Sequence, residues 1–122
     1  MNLTDLATIQ MLQKKYGFRT KKRFGQNFLL DEQVVAQTIQ GAGINKDDIV
    51  VEIGPGMGTM TGAIAQAAKA VLAVEIDEKL RRLLAETVPF ENVQLLFQDV
   101  MKTDLDQVVK EKFGVESYKV VA

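Results

Sequence analysis

The sequence predicts an α/β protein, a doubly wound parallel sheet with helices on both faces. Three observations lead there. Short continuous apolar runs recur at "DIVVEIG", "AVLAVEI" and "NVQLLFQ", a length that suits buried strands. The segments between them carry apolar residues at helical spacing, and strands alternating with helices of that size build parallel crossover units. The first run also passes directly into a glycine-rich turn, "GPGMG", that opens a helix.

Each element follows in order. In "TDLATIQMLQKKYG" Thr4 is the expected cap, Leu6, Ile9 and Leu12 or Met11 share a face, and Gly17 ends the helix. Asp31 then caps "EQVVAQTIQGAG", with Val34, Val35 and Thr38 or Ile39 turned inward. The strand "DIVVEIG" leads to a helix near "TMTGAIAQAAK", and "AVLAVEI" leads to "DEKLRRLLAETV", capped by Asp77. "NVQLLFQ" leads to "TDLDQVVKEKFG", and "YKVVA" is a fourth strand. Right-handed crossovers arrange the four strands in the order 3-2-1-4. Residues 1–30 form a helix and a basic arm; residues 31–122 form the sheet domain.

Composition narrows the chemistry. The 122 residues make at most one domain. No apolar run approaches the roughly 18 residues of a membrane helix. The first twenty residues lack a signal peptide's apolar stretch, so the cytoplasm is the expected location. There is no Cys and no His, which removes disulfides, thiolate chemistry, the usual zinc sites and every triad built on imidazole. No metal site is expected. Carboxylates, amides, backbone groups and cations must do the work.

Net charge is −1, but it is unevenly spread. Residues 1–30 hold Lys14, Lys15, Arg19, Lys21, Lys22 and Arg23 against Asp5 alone, while the remainder carries nine bases and fifteen acids. The basic stretch is interleaved with Tyr16, Phe18, Phe24 and Phe28. A phosphate-contacting arm fits this pattern, since cations supply affinity for nucleic acid and aromatics stack on bases. A solvated loop pinned by its aromatics is the alternative.

The first strand–turn–helix junction, "VVEIGPGMGT", is the candidate binding site. Gly54, Gly56 and Gly58 allow a sharp turn and close approach of a ligand; a tight turn without a ligand is the alternative. Glu75 ends the second strand about 20 residues on, where an acid accepts hydrogen bonds from ribose hydroxyls. Glu52 stands two residues before Gly54 and is expected to face the same crevice. At roughly 6 Å and an effective dielectric near 20 it repels each phosphate charge by about 3 kcal/mol. That biases the site against a pyrophosphate and toward the cationic S-adenosylmethionine. Asp99, after the third strand, is placed to accept the adenine amino hydrogen or, alternatively, to cap the next turn.

The motifs "KKRFGQNFL", "EIGPGMGTMT", "VEID" and "QDV" together resemble the small-subunit ribosomal RNA adenine dimethyltransferases of the KsgA type, from Lys14 onward. The resemblance implies a Rossmann-like class I S-adenosylmethionine-dependent methyltransferase fold, followed in the family by a small helical domain. It implies dimethylation of two adjacent adenosines near the 3′ end of small-subunit rRNA, with an immature ribosomal subunit as partner. By motif, Asn27 and Leu29 would cover the cofactor, Gly54 would contact it through its backbone, Glu75 through the ribose and Asp99 through the adenine. Gln26, Phe28, Gly56, Ile76 and Val100 would line the same pocket.

The family's next motif, Asn-Leu-Pro-Tyr, holds the target amine, and positioning of that kind supplies roughly 7–11 kcal/mol at best. The resemblance places it after Ala122, so the chain is expected to be a fragment with no catalytic residue of its own, able to bind cofactor but inactive on RNA. Its fourth strand is expected to be an open apolar edge prone to self-association. The alternatives are the antibiotic-resistance methylases of large-subunit rRNA, which share the QNF segment, and a non-catalytic RNA-binding fragment.

Overall fold

A computed structural model describes residues 2–17 and 32–122 of the chain. The elements run α1 (Leu6–Tyr16), α2 (Glu32–Gly41), β1 (Ile49–Ile53), α3 (Thr59–Ala67) and β2 (Ala70–Glu75). They continue through α4 (Arg81–Thr87), β3 (Val93–Phe97), α5 (Leu105–Phe113) and β4 (Lys119–Val121). Single 3-10 turns, Glu78–Leu80 and Val100–Lys102, precede α4 and α5. Every adjacent pair of strands is parallel and the order is β3-β2-β1-β4, as the alternating pattern predicts.

Strand alternation divides the core in two. Val50 and Val71 lie on the face covered by Ile64 and Ala65 of α3 and by Ala68 just after it, with Ile39 and Val121 at the margin. Val51, Leu72 and Val74 lie on the other, against Val109 of α5 and the partly buried Phe113 and Tyr118. A third cluster joins Ile9 and Leu12 of α1 to Leu83 of α4, with Met57 from the glycine turn between them. Complete burial of a Val or Leu contributes about 1.5–3 kcal/mol, so these clusters fix the turn as firmly as the helices. The parallel register levels the carboxyl ends of the strands: Ile53 pairs with Val74, and Glu75 with Phe97.

Several local expectations are corrected. Asp5 caps α1, accepting from the Thr8 amide at 3.2 Å, while Thr4 is held one residue earlier by Asn2. Only Ile9 and Leu12 of that helix are buried; Leu6 and Met11 face outward. In α2 it is Val35 that is buried, and Val34 is exposed; the Asp31 cap lies outside the described residues. The helix expected after β2 is divided, because Asp77 caps the 3-10 turn through the Lys79 amide before α4 begins. On the edge strand β4, Val121 reaches the core and Val120 stays 52% exposed. No helix among the described residues is long and apolar enough to cross a membrane.

Candidate functional site

The turn after β1 is fixed by three glycines in left-handed conformations, φ 71° at Gly54, 59° at Gly56 and 93° at Gly58. The Gly54 amide donates to the Val74 carbonyl at 2.9 Å, tying the turn to β2. A Cβ on Gly58 would lie 2.7 Å from Val88 Cγ1 and 2.9 Å from Thr87 Oγ1, so no side chain fits there. At Gly54 and Gly56 no described residue lies within 4 Å of where a Cβ would stand. The turn is therefore packed at Gly58 and clear of the described residues at Gly54 and Gly56.

Glu75 is buried and bridges the turn to the chain beyond β2. Its Oε1 accepts from the Gly56 amide at 3.2 Å and its Oε2 from the Asp77 amide at 3.0 Å. Each oxygen keeps a second lone pair for another donor. The acid predicted from spacing alone is thus joined directly to the glycine turn.

Glu52 differs from expectation. Strand alternation puts it on the α3 face with Val50, where it is 4% exposed. The Thr61 hydroxyl of α3, itself fully buried, donates to its Oε1. Burial pushes the Glu52 carboxyl up to about 7, with the nearby Glu75 charge adding to the rise and the Thr61 hydrogen bond opposing it. Near neutral pH this group is divided between its acid and its anion, so its repulsion of other anions depends on pH.

Asp99 caps the turn after β3, its Oδ1 accepting from the Met101 amide at 2.9 Å. Its capping role is thus realised, and the second carboxylate oxygen remains for other donors. Ile76, next to Glu75, is 67% exposed, whereas Val100 packs partly into the core. Among the described residues no lysine or arginine pairs with Glu52, Glu75 or Asp99. None of these acids belongs to a group able to hold a metal ion, again among the described residues.

Gln26, Asn27, Phe28 and Leu29 lie outside the described residues, as do Arg19, Lys21, Lys22 and Arg23. Of the basic arm, Lys14 is exposed, but Lys15 is engaged within the chain. Its ammonium is 2.6 Å from Glu86 of α4, whose other oxygen accepts from the Tyr16 hydroxyl at 2.8 Å. Two features escaped the sequence reading. Thr61 was readable as a hydroxyl on the helix face of Ile64, Ala65 and Ala68, turned toward an acid-bearing strand. Arg81, paired with Glu78, also covers the Phe97 ring at 4.2 Å; no spacing rule announces that contact.

The family model described as ribosomal RNA adenine dimethylase matches residues 17–122. The chain belongs to that family. A relative in Leuconostoc mesenteroides, ribosomal RNA small subunit methyltransferase A, is 45% identical over 124 residues, covering 100% of this chain and 42% of the relative. The chain thus spans about two fifths of the curated relatives it matches. Among solved structures, the 23S rRNA methyltransferase ErmE is 29% identical with a TM-score of 0.57, covering 61% of this chain and 31% of its own. A dimethyladenosine transferase from Plasmodium falciparum is 28% identical with a TM-score of 0.54, over 60% of this chain and 28% of its own. Together with the sheet order, these likenesses bear out the Rossmann-like methyltransferase fold.

Proposed function

We propose that this chain is the S-adenosylmethionine-binding part of a dimethyltransferase that modifies two adjacent adenosines of small-subunit rRNA during ribosome biogenesis. The observation that carries the reading is the bond from the Gly56 amide to the Glu75 carboxylate, which sets an acid against an open glycine turn. The donor set fits the cofactor: three carboxyl groups with no lysine or arginine partner among the described residues suit a cation with a ribose and no phosphate. Bound there, the cofactor supplies an electrophilic methyl group.

In this reading Gly54 and Gly56 hold it through backbone, Glu75 takes the ribose and Asp99 the adenine amino group. Asn27 and Leu29 cover it, and Gln26, Phe28, Ile76 and Val100 complete the pocket. Lys14, Arg19, Lys21, Lys22 and Arg23 meet RNA phosphates, with an immature cytoplasmic subunit as the partner. The half-exposed Val120 on edge strand β4 supports self-association of the chain, which size-exclusion chromatography checks.

Calorimetry with S-adenosylmethionine tests the cofactor reading: saturable heat is expected, and its absence in folded protein overturns it. The sequence contains no Asn-Leu-Pro-Tyr, so the chain alone should transfer no labelled methyl to immature small subunits. Clear incorporation would refute that. The likeness to a 23S rRNA methyltransferase supports a second reading, action on the large subunit. The subunit that the longer enzyme methylates separates the two.

A further inference from the structure

We infer that the positive charge of the cofactor expels a proton from Glu52, and that the Thr61 hydroxyl is the positioning group that holds this carboxyl for the exchange. The inference rests on the cofactor reading above and concerns how binding is regulated. Its basis is geometric. Glu52 is two residues from Gly54, 4% exposed, and among the described residues its carboxyl takes one hydrogen bond, from Thr61. Its neighbours across the sheet are Ala73 on β2 and Val121 on β4, neither of which titrates. Glu75, farther along β2, is the charged group that acts on it, and it is an acid. Lys119 shares this face of the sheet, but its ammonium is spent on Asp48 and the Gly43 carbonyl.

A carboxyl so enclosed holds its proton near neutrality, as its rise to about 7 reflects. A sulfonium or ammonium brought over the glycine turn favours the anion, and the O–H bond of Glu52 breaks with its proton passing to buffer. Affinity for the cation must then climb with pH, by about fivefold between pH 6 and pH 7.

The test is calorimetry of the 122-residue chain with S-adenosylmethionine at pH 6.5, in MES and in imidazole, whose ionisation heats differ. The cofactor's own α-amino group titrates near about 8 and stays protonated at that pH, so it releases nothing. Release of about three-quarters of a proton is expected. S-adenosylhomocysteine, without the sulfonium charge, should release less. Glu52→Gln should bind with equal heat in both buffers. Thr61→Val should move the midpoint of the affinity–pH profile upward, and Thr61→Ser should restore it.

Heat that is equal in the two buffers for the unaltered chain overturns the inference while leaving the cofactor reading intact. Absence of heat in both removes that reading and this inference with it. An unmoved midpoint in folded Thr61→Val overturns the part assigned to Thr61. Because the two-buffer experiment needs no substitution, the inference remains testable even if Glu52→Gln fails to fold.

Discussion

At the amino ends of the strands, the Lys119 ammonium bonds the Gly43 carbonyl at 2.6 Å and Asp48 at 2.9 Å. Asp48 also accepts from the Asn45 amide, and the Asn92 amide group caps the last carbonyls of α3. At the carboxyl ends, Glu52, Glu75 and Asp99 receive, among the described residues, only backbone amides and one hydroxyl. Among the described residues one end pairs its charges from within, and the other shows no cation beside its acids. In parallel α/β sheets ligands gather beyond the carboxyl ends of the strands. Here the distribution of counter-charge among the described residues distinguishes the two ends as clearly as the topology does.

The sharpest way to break this contrast is at the glycine turn. Gly58→Ala places a methyl against Val88 and Thr87 at φ 93° and should cost about 3–4 kcal/mol. Gly54→Ala meets no neighbour among the described residues and should cost about 1–2 kcal/mol from backbone strain. Urea unfolding measures both, and equal losses would mean that the turn is not packed from below.

A comparable effect is expected from pH. Because the folded Glu52 carboxyl is raised from 4.5 to about 7, the native state holds a proton that the unfolded chain has lost. Stability should therefore fall as pH rises through that window, by about 3 kcal/mol. Glu52→Gln should remove this part of the slope, which paired denaturation curves at pH 4.5 and pH 7.5 would reveal. Parallel curves would show the buried acid to be balanced after all.

The opposite end should behave with the opposite sign and a smaller size. Lys119 and the Asn45 amide hold the Asp48 carboxyl below its usual value. Its stabilisation is present above the ordinary carboxylate range and is lost on acidification through the lowered folded value. Lys119→Met should lower Tm at neutral pH, less than Gly58→Ala does, and the difference should shrink below about pH 4.

The least effect is expected on RNA binding. With Lys15 held by Glu86, five bases of the arm remain for phosphate, giving a log–log salt slope of about −3.5. Lys15→Ala should leave that slope unchanged; a shallower one would show that Lys15 leaves Glu86 for RNA.

The strand order and the run of helices were legible because apolar runs and helical spacing are local signals that the tertiary fold reinforces. Glu75 and the three glycines were legible for the same reason, since their offset follows one strand–turn–helix–strand unit. What failed was fine placement. Thr4 and Asp5 are both competent caps, and only the start of the helix chooses between them. Leu6 and Val34 point outward because α1, packed on α4, and α2, packed on α3, each bury only a narrow stripe. Glu52 was read from its distance to Gly54, yet alternation along β1 decides which face it meets. The hydroxyl that receives it lies nine residues away on the next element. Such pairings belong to packing, which no single stretch of sequence records.

The Lys119 latch has a bearing on how the fold is reached. It joins residues 71 and 76 positions apart, whereas β1, β2 and β3 are linked by short crossovers. Closing so long a loop costs more chain entropy than pairing neighbouring strands, and distant contacts slow folding. β4, with only three residues in register, should dock late, its amides the first of the sheet to exchange with deuterium. The acids of β1 and β2 would then stand in place before β4 joins the sheet.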